Sequence, residues 1–385
     1  MRAPIFLLIA ALCIAVSPYR SAAADPPPVQ PPVTVQTALK GSVLKIDGRL
    51  FAGIFETQDD GTLPNRTLDI PDAKLRFTFI PSKDITIVNR FSTSRAETSG
   101  FDYFYLDLNN WGGVLPGHTV RVGKMKLDVG QETWSDNPVE SILITNSAGL
   151  VSGYDEGIHF LGPIAFSKRP ATYSLMVTNA SKGFTASSEG LATVVKLGIS
   201  PIDSLFVSGS WYQTGDLLKS DGTPADVDLK VSNLTSPPTG ATNWQRHVWE
   251  VDARWNYGPT GVRPTIVSTP DTRYQLAAAI GRFTDDADGV ADRKGDYWYI
   301  EGLVNATDKI YLASRLSEIS LDDDATAKLA DSPVAVNRYR RFAIGAGYRL
   351  TPSTHVKAEF TDNSPTGGLT TPRLNQIAVG IATKF

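Results

Sequence analysis

The sequence predicts an all-β fold: a 16-stranded antiparallel transmembrane β-barrel with short turns at one rim, long loops at the other and the third long loop folded inward. Three observations predict it. The chain ends in "LNQIAVGIATKF", where Ile377, Val379, Ile381, Thr383 and Phe385 share one parity and Gln376, Ala378, Gly380, Ala382 and Lys384 the other. An extended strand there has one greasy and one small or polar face. From Val43 onward, segments of about 8 to 14 residues repeat that dyad pattern between turn residues. After residue 24 no apolar run reaches the ~18 residues of a membrane-crossing helix, which leaves strands as the spanning element.

Residues 1–24 read as a secretory leader and are set aside: Arg2, the apolar run from Ile5 to Val16, and Ala22, Ala23 and Ala24 before a cleavage expected after Ala24. Cys13 follows Leu12, a poor context for a lipid anchor, and it is the sole cysteine. The remaining chain therefore relies on packing and backbone pairing, not disulfides. Residues 25–41 open with "DPPPVQPPV" and are expected to run as an extended polyproline-like spacer, since proline has no N–H to give to a ladder.

The barrel is assigned to 42–385, with strands expected to begin near Val43, Asp72, Ile85, Phe101, His118, Gly157, Thr172, Leu191, Ser204, Arg246, Thr272, Asp296, Lys309, Tyr339, His355 and Leu374. Sixteen is even, as one chain closing an up-and-down barrel needs. The connections alternate too. "PSKD" (81–84), "SPID" (200–203), "NATDK" (305–309) and "TPST" (351–354) are tight; 128–156, 214–245, 284–295 and 318–337 are long and polar. Segments 110–119 and 258–271 are longer than the other inner turns, and the second leaves room for a miscount by two strands. Outward parity places Phe91, Trp211, Trp249 and Trp298 toward the external strand ends, and Tyr173, Trp255, Tyr257, Tyr348 and Phe385 toward the periplasmic ends. Rings with an apolar body and a polar tip favour both interfaces, which a soluble β-sandwich would not require.

A terminal Phe385 preceded by alternating apolar residues resembles the C-terminal signature of Gram-negative outer-membrane proteins, read by the barrel-assembly machinery. With the leader and the strand count, the likeness to porins covers nearly the whole mature chain. "RVGKMKLDVG" (121–130) and "GYDEGIHFLG" (153–162) resemble the strand, inward loop and return strand of phosphate-selective-porin-like channels, although Met125 and Asp128 replace an expected aromatic and proline. The resemblance implies an outer-membrane homotrimer, in contact with lipid and lipopolysaccharide, passing small hydrophilic solutes. Outward Gly48 and Ala52 would allow close approach of another barrel.

The inward parity carries a basic excess: Lys45, Arg49, Lys74, Arg76, Arg90, Arg121, Arg254, Arg341 and Arg349 lead a set of fourteen cations against six carboxylates. A water-filled bore so lined concentrates anions, within the ~10 Å screening length of 0.1 M salt. Arg49, Arg76 and Arg90 with Arg341 and Arg349 are expected to form one arginine-rich wall. Across from it should lie the third loop, with Asp128, Glu132, Asp136, Glu140, Asp155 and Glu156. The competing reading is that wall arginines pair with Asp47, Asp107 or Glu359 and only stiffen the barrel. In "HTVRVGKMKLD" the parity fails, so a bulge near Gly123 or an early bend is expected, leaving the facing of Lys124 and Lys126 open.

Other chemistry is weakly supported. The net charge of −3, which becomes −5 once Arg2 and Arg20 leave with the leader, gives no nucleic-acid footprint. His118, His159, His247 and His355 have no metal or nucleophile spacing, and "TDDADGVAD" (284–292) and "LDDDATA" (321–327) lack an EF-hand pattern. No catalytic residue, metal or cofactor is therefore assigned. The expected activity is passive diffusion with mild anion preference; the alternatives are a pore selective for phosphate, organic acid or sugar, and a plugged barrel acting as adhesin or anchor.

Overall fold

The computed structural model describes residues 33–36, 41–57, 67–93, 100–164, 169–180, 190–219, 221–257, 273–323, 325–368 and 374–385. The leader, most of the spacer and the 258–271 connection lie outside the described residues. The barrel strands are β1 (Val43–Thr57), β2 (Thr67–Ser82), β3 (Ile85–Ser92), β4 (Gly100–Asn109), β5 (Thr119–Lys126), β6 (Tyr154–Pro163), β7 (Ala171–Thr178) and β8 (Ala192–Ile202). They continue as β9 (Leu205–Gln213), β10 (Trp244–Tyr257), β11 (Tyr274–Ala287), β12 (Arg293–Asn305), β13 (Ile310–Leu321), β14 (Arg338–Thr351), β15 (Thr354–Thr366) and β16 (Gln376–Lys384). Each pairs antiparallel with its sequence neighbours, and β16 returns to β1 from Gln376↔Thr57 to Lys384↔Arg49. Closure leaves no open edge in lipid, the condition for strands to span a bilayer.

Every expected strand is present, with starts displaced by at most five residues. Outward positions stay exposed and apolar, among them Ile280, Ile300, Leu312, Ile344 and Ile381. Trp211 and Trp249 pair directly on the outer face, and Trp255, Tyr257 and Tyr274 stack in series at the opposite end. Hydrocarbon outside and polar contents inside explain why the period of two is so regular.

At the seam, the Phe385 backbone N–H donates to Gly48 O at 3.1 Å and Gly48 N–H to Phe385 O at 2.9 Å. The Phe385 ring lies over Gly48, where an added Cβ would collide with it. Gly48 thus accommodates the chain's own last ring. Beyond Phe385 the inner end of β1 would have a bare edge, but Val33–Gln36 pairs antiparallel with Val43–Ile46. Part of the spacer expected to stay out of any ladder therefore joins one, through the first residues past its prolines.

Two connections differ from expectation. The 284–295 segment is mostly strand, because β11 and β12 run on to Ala287 and from Arg293. The 214–245 segment is not simply polar: Leu217, Val227, Leu229, Val231 and Leu234 are buried. They join Leu127, Val129, Ala148 and Val151 of the third loop, Leu329 and Val336 of the seventh, and inward Met176, Tyr212, Phe283 and Tyr339 in one cluster inside the barrel. Val151–Ser152 and Lys230–Val231 form a small two-stranded sheet between third and fifth loops.

Candidate functional site

The third loop, residues 127–153, folds into the lumen as expected and is tied down along its length. Val139 and Ile144 pack on Phe51 and Phe55 of β1. Ile142 and Leu143 pack against Leu303, Tyr311 and Ala343. Its backbone is held by wall charges: Glu359 accepts from the N–H groups of Ile144 and Thr145, and Lys357 donates to Pro138 O at 2.5 Å and to Ser141 O. Arg315 reaches Thr145 O at 2.7 Å, Arg341 reaches Asn146 O at 2.8 Å and Lys196 reaches Gly130 O at 2.6 Å. Irregular backbone packed against the wall needs such partners, because the packing there keeps water from satisfying it.

This anchoring redistributes the expected residues. Arg254 and Arg341 are buried in the part of the lumen that the loops fill. Arg349 is also buried, bonding Asn305 at 2.6 Å and Asp308 O, near the inner turn. Arg49, Arg76 and Arg90 thus do not form one wall with Arg341 and Arg349. The cations on the first five strands do converge, five of them with a carboxylate: Arg49 with Asp72 at 2.7 Å, Lys74 with Asp102 at 2.8 Å, Arg76 with Asp47 at 2.8 Å, Arg90 with Asp102 at 2.7 Å, and Arg121 bidentate to Asp107. Lys45 is exposed on the same wall. Arg90 sits over the Tyr103 ring at 4.2 Å and Arg121 over Tyr105 at 3.8 Å, which stiffens both guanidinium planes.

The loop carboxylates are paired as well, so no free acidic row opposes a free basic one. Asp128 meets Lys196 at 2.8 Å, Asp136 meets Lys126 at 2.7 Å, Glu140 meets Lys384 at 2.7 Å and Glu132 lies 3.6 Å from Arg315. Burial alone would push Asp128 and Asp136 up, but Lys196 and Lys126 outweigh it and hold both carboxyls below their ordinary range. At Glu132 burial wins, and its carboxyl is raised despite Arg315 and Ser147. Asp155 and Glu156 are on strand β6, not the loop: Asp155 accepts from Ala180 N–H at 2.7 Å, and Glu156 stands 3.8 Å from Lys124.

The irregularity near Gly123 is a twist without a register shift. Gly123 has φ +130° and touches the Phe104 backbone, where a side chain would not fit. The β4–β5 ladder ends at Phe104↔Lys124, while β5–β6 continues to Lys126↔Tyr154. Both faces of that hairpin end are then used: Met125 and Asp155 are buried, and Lys126 pairs with Asp136 while Tyr154 Oη accepts from Arg90 at 2.7 Å.

Between this hairpin and the first strands remains a cavity of about 640 Å³, lined by Arg49, Lys74, Lys124 and Lys230 and by Asp72, Asp102, Asp136, Glu156 and Asp228. Sequence reasoning missed Asp72, which shares inward parity with Lys74 and Arg76 and was legible from that. It also missed Asp102, which a register shift between β3 and β4 turns inward. The histidines are dispersed: His118 bonds Tyr173, His159 bonds Ser174, His247 lies 3.2 Å from Asp286 and His355 packs on Tyr311. Among the described residues no three His, Cys, Asp or Glu side chains gather as a metal set.

A closed sixteen-stranded barrel with a short-turn rim, a long-loop rim and a lumenal third loop is the architecture of the porin class. Solved structures agree on the fold. The outer membrane protein OmpT of Vibrio cholerae in its trimer form superimposes with a TM-score of 0.58 at 10% identity, over 89% of this chain and 99% of that one. The outer membrane channel DcaP of Acinetobacter baumannii gives 0.58 at 11%, over 92% and 100%. An anion-selective porin from Comamonas acidovorans gives 0.57 at 13%, over 89% and 100%. No family model and no curated protein matches the sequence.

Proposed function

We propose that the protein is an outer-membrane porin, without turnover chemistry, that passes small hydrophilic solutes and ions passively with a mild preference for anions. The observation that carries this reading is the basic wall of the first five strands, facing a firmly anchored third loop; the cavity between them is itself nearly balanced, with four cations against five carboxylates. Lys45, Arg49, Lys74, Arg76, Arg90 and Arg121 on that wall exceed Asp47, Asp72, Asp102 and Asp107 by two. The facing Lys124, Lys126 and Lys230 balance Asp136, Glu156 and Asp228. A surplus of two in a wet bore gives a mild bias, far from the exclusion that a rank of unpaired arginines would impose. The trimer form of OmpT supports a homotrimer here.

A second reading, a solute-selective pore for phosphate, organic acid or sugar, is favoured by the Tyr103, Tyr105 and Tyr154 rings beside Arg90 and Arg121. Planar-bilayer recording separates the readings. Ohmic steps with a KCl reversal potential of anion sign fit the general pore; current that saturates or is blocked by one solute fits the selective one. No conductance would mean a plugged barrel, and cation preference would overturn the charge argument. Arg76, whose side chain is 45% exposed, is the informative variant. At ~10 Å in water one charge is worth about 0.4 kcal/mol, favourable for an anion and unfavourable for a cation, so Arg76→Ala should lower the anion-to-cation permeability ratio about four-fold at low salt, and less as salt screens it.

A further inference from the structure

The outer surface of β11–β14 changes character abruptly at its external end. The paired row Ala278, Ile300, Leu316 and Phe342 is wholly apolar. One step outward, the row is Ile280, Trp298, Glu318 and Arg340; one step further it is Arg282, Asp296, Ser320 and Arg338. Hydrocarbon contact therefore stops within two residue pairs, and a charged band starts where lipid headgroups begin. The band is local. On β1 and β2 the same rim carries the exposed, apolar Ile54, Leu68 and Ile70, with Glu56 as the one charged residue in the outward row of β1.

Within the band the charges do not cancel evenly. Arg282 is held between Asp296 at 2.9 Å and Asp322. Arg338 and Arg340 share a single carboxylate, Glu318, at 3.9 Å and 2.7 Å, with their side chains 50% and 54% exposed. Two half-exposed guanidiniums on one acid keep donors free for a second oxyanion, and a phosphate monoester offers pairs of oxygens that accept from a guanidinium fork bidentately. The Phe342 and Ile344 side chains directly below supply the surface along which attached acyl chains would lie.

Resting on the outer-membrane reading above, we infer that Arg338 and Arg340, with Glu318 between them, form a binding site for the phosphorylated headgroup of a glycolipid in the outer leaflet. The apolar rows beneath are what commit the site to a lipid-borne phosphate over a free one, which has no use for them.

The test uses the full chain folded in detergent micelles, with retained lipid measured by mass after gel filtration. Diphosphorylated lipid A should be kept, and its dephosphorylated form should not. Arg338→Ala/Arg340→Ala should weaken retention about thirty-fold, two basic residues each contributing the amount expected at an anionic membrane surface. Glu318→Gln releases both guanidiniums and should strengthen retention, a gain that a misfolded variant does not produce. Lys83→Ala, at the opposite rim, should bind like the parent. Equal retention by the double arginine variant, equal binding of the dephosphorylated lipid, or displacement by millimolar inorganic phosphate alone would each overturn the site. Bilayer conductance is read on the same preparations, so a conducting protein that ignores lipid A sinks this site and leaves the pore, and a silent protein that binds it does the reverse.

Discussion

Replacing Glu359 by Gln should loosen the tip of the third loop without unfolding the barrel. Glu359 is 4% exposed and accepts from Ile144 N–H, from Thr145 N–H at 3.2 Å, and from the Thr145 hydroxyl. Hydrogen bonds to a charged acceptor contribute roughly 1.5–3 kcal/mol and neutral ones about 1, so three such bonds lose about 3 kcal/mol together. That corresponds to about a hundred-fold more of the detached tip. The neighbouring holds of Lys357 on Pro138 and Arg315 on Thr145 remain, so the movement stays local to the tip. Single-channel recordings should show bursts of higher conductance and increased open-channel noise, in protein whose heat-modifiable gel migration matches the parent. A trace as quiet as the parent's, at the same mean conductance, would refute the idea that this carboxylate pins the loop.

Two further outcomes follow from the seam and from the loop carboxylates. Phe385→Ala keeps the backbone bonds to Gly48 but removes the ring over it; with Phe385 64% exposed, this should cost about 0.5–1 kcal/mol of apolar burial, read as a lower folding yield and melting temperature in micelles. Asp128 and Asp136 are held below the unfolded carboxylate value of 3.8, so the anchoring they provide is complete above it and is lost as pH falls through their depressed folded values. The noise that these two anchors suppress should therefore rise only below about pH 4, and Asp136→Asn should show it already at pH 7.

The barrel was legible because its two solvents impose one rule on every strand. Ile377 and Val379 face hydrocarbon, Ala378 and Gly380 face the lumen, and the same alternation locates β9 or β14 as easily as β16. The inward third loop was legible only through resemblance. What parity could not supply is the identity of each charge's partner. Arg315 and Lys357 look like pore-lining cations in a strand pattern, yet both spend hydrogen bonds on loop carbonyls, a role fixed by a chain segment more than 150 residues away. Asp102 was hidden by a bulge, which breaks the alternation from which facing is inferred. The fifth loop carried a readable signal in Leu217, Val227, Leu229, Val231 and Leu234, an apolar content that a solvated loop does not need.

The junction between β1 and β16 also dictates an order of events. Its partners, such as Arg49 and Lys384, are roughly three hundred residues apart, whereas every other ladder of the barrel wall joins sequence neighbours. Hairpins can zip early, but this last ladder must wait for the whole ribbon to curl, which makes it the step of greatest entropic cost and the natural bottleneck of maturation. Until it forms, both terminal strands expose unsatisfied backbone, and proteases should find them first. Docking of Val33–Gln36 along the same margin then lengthens the closure past the final residue, so cutting the chain before Val43 should speed reopening of the finished cylinder more than it slows its completion.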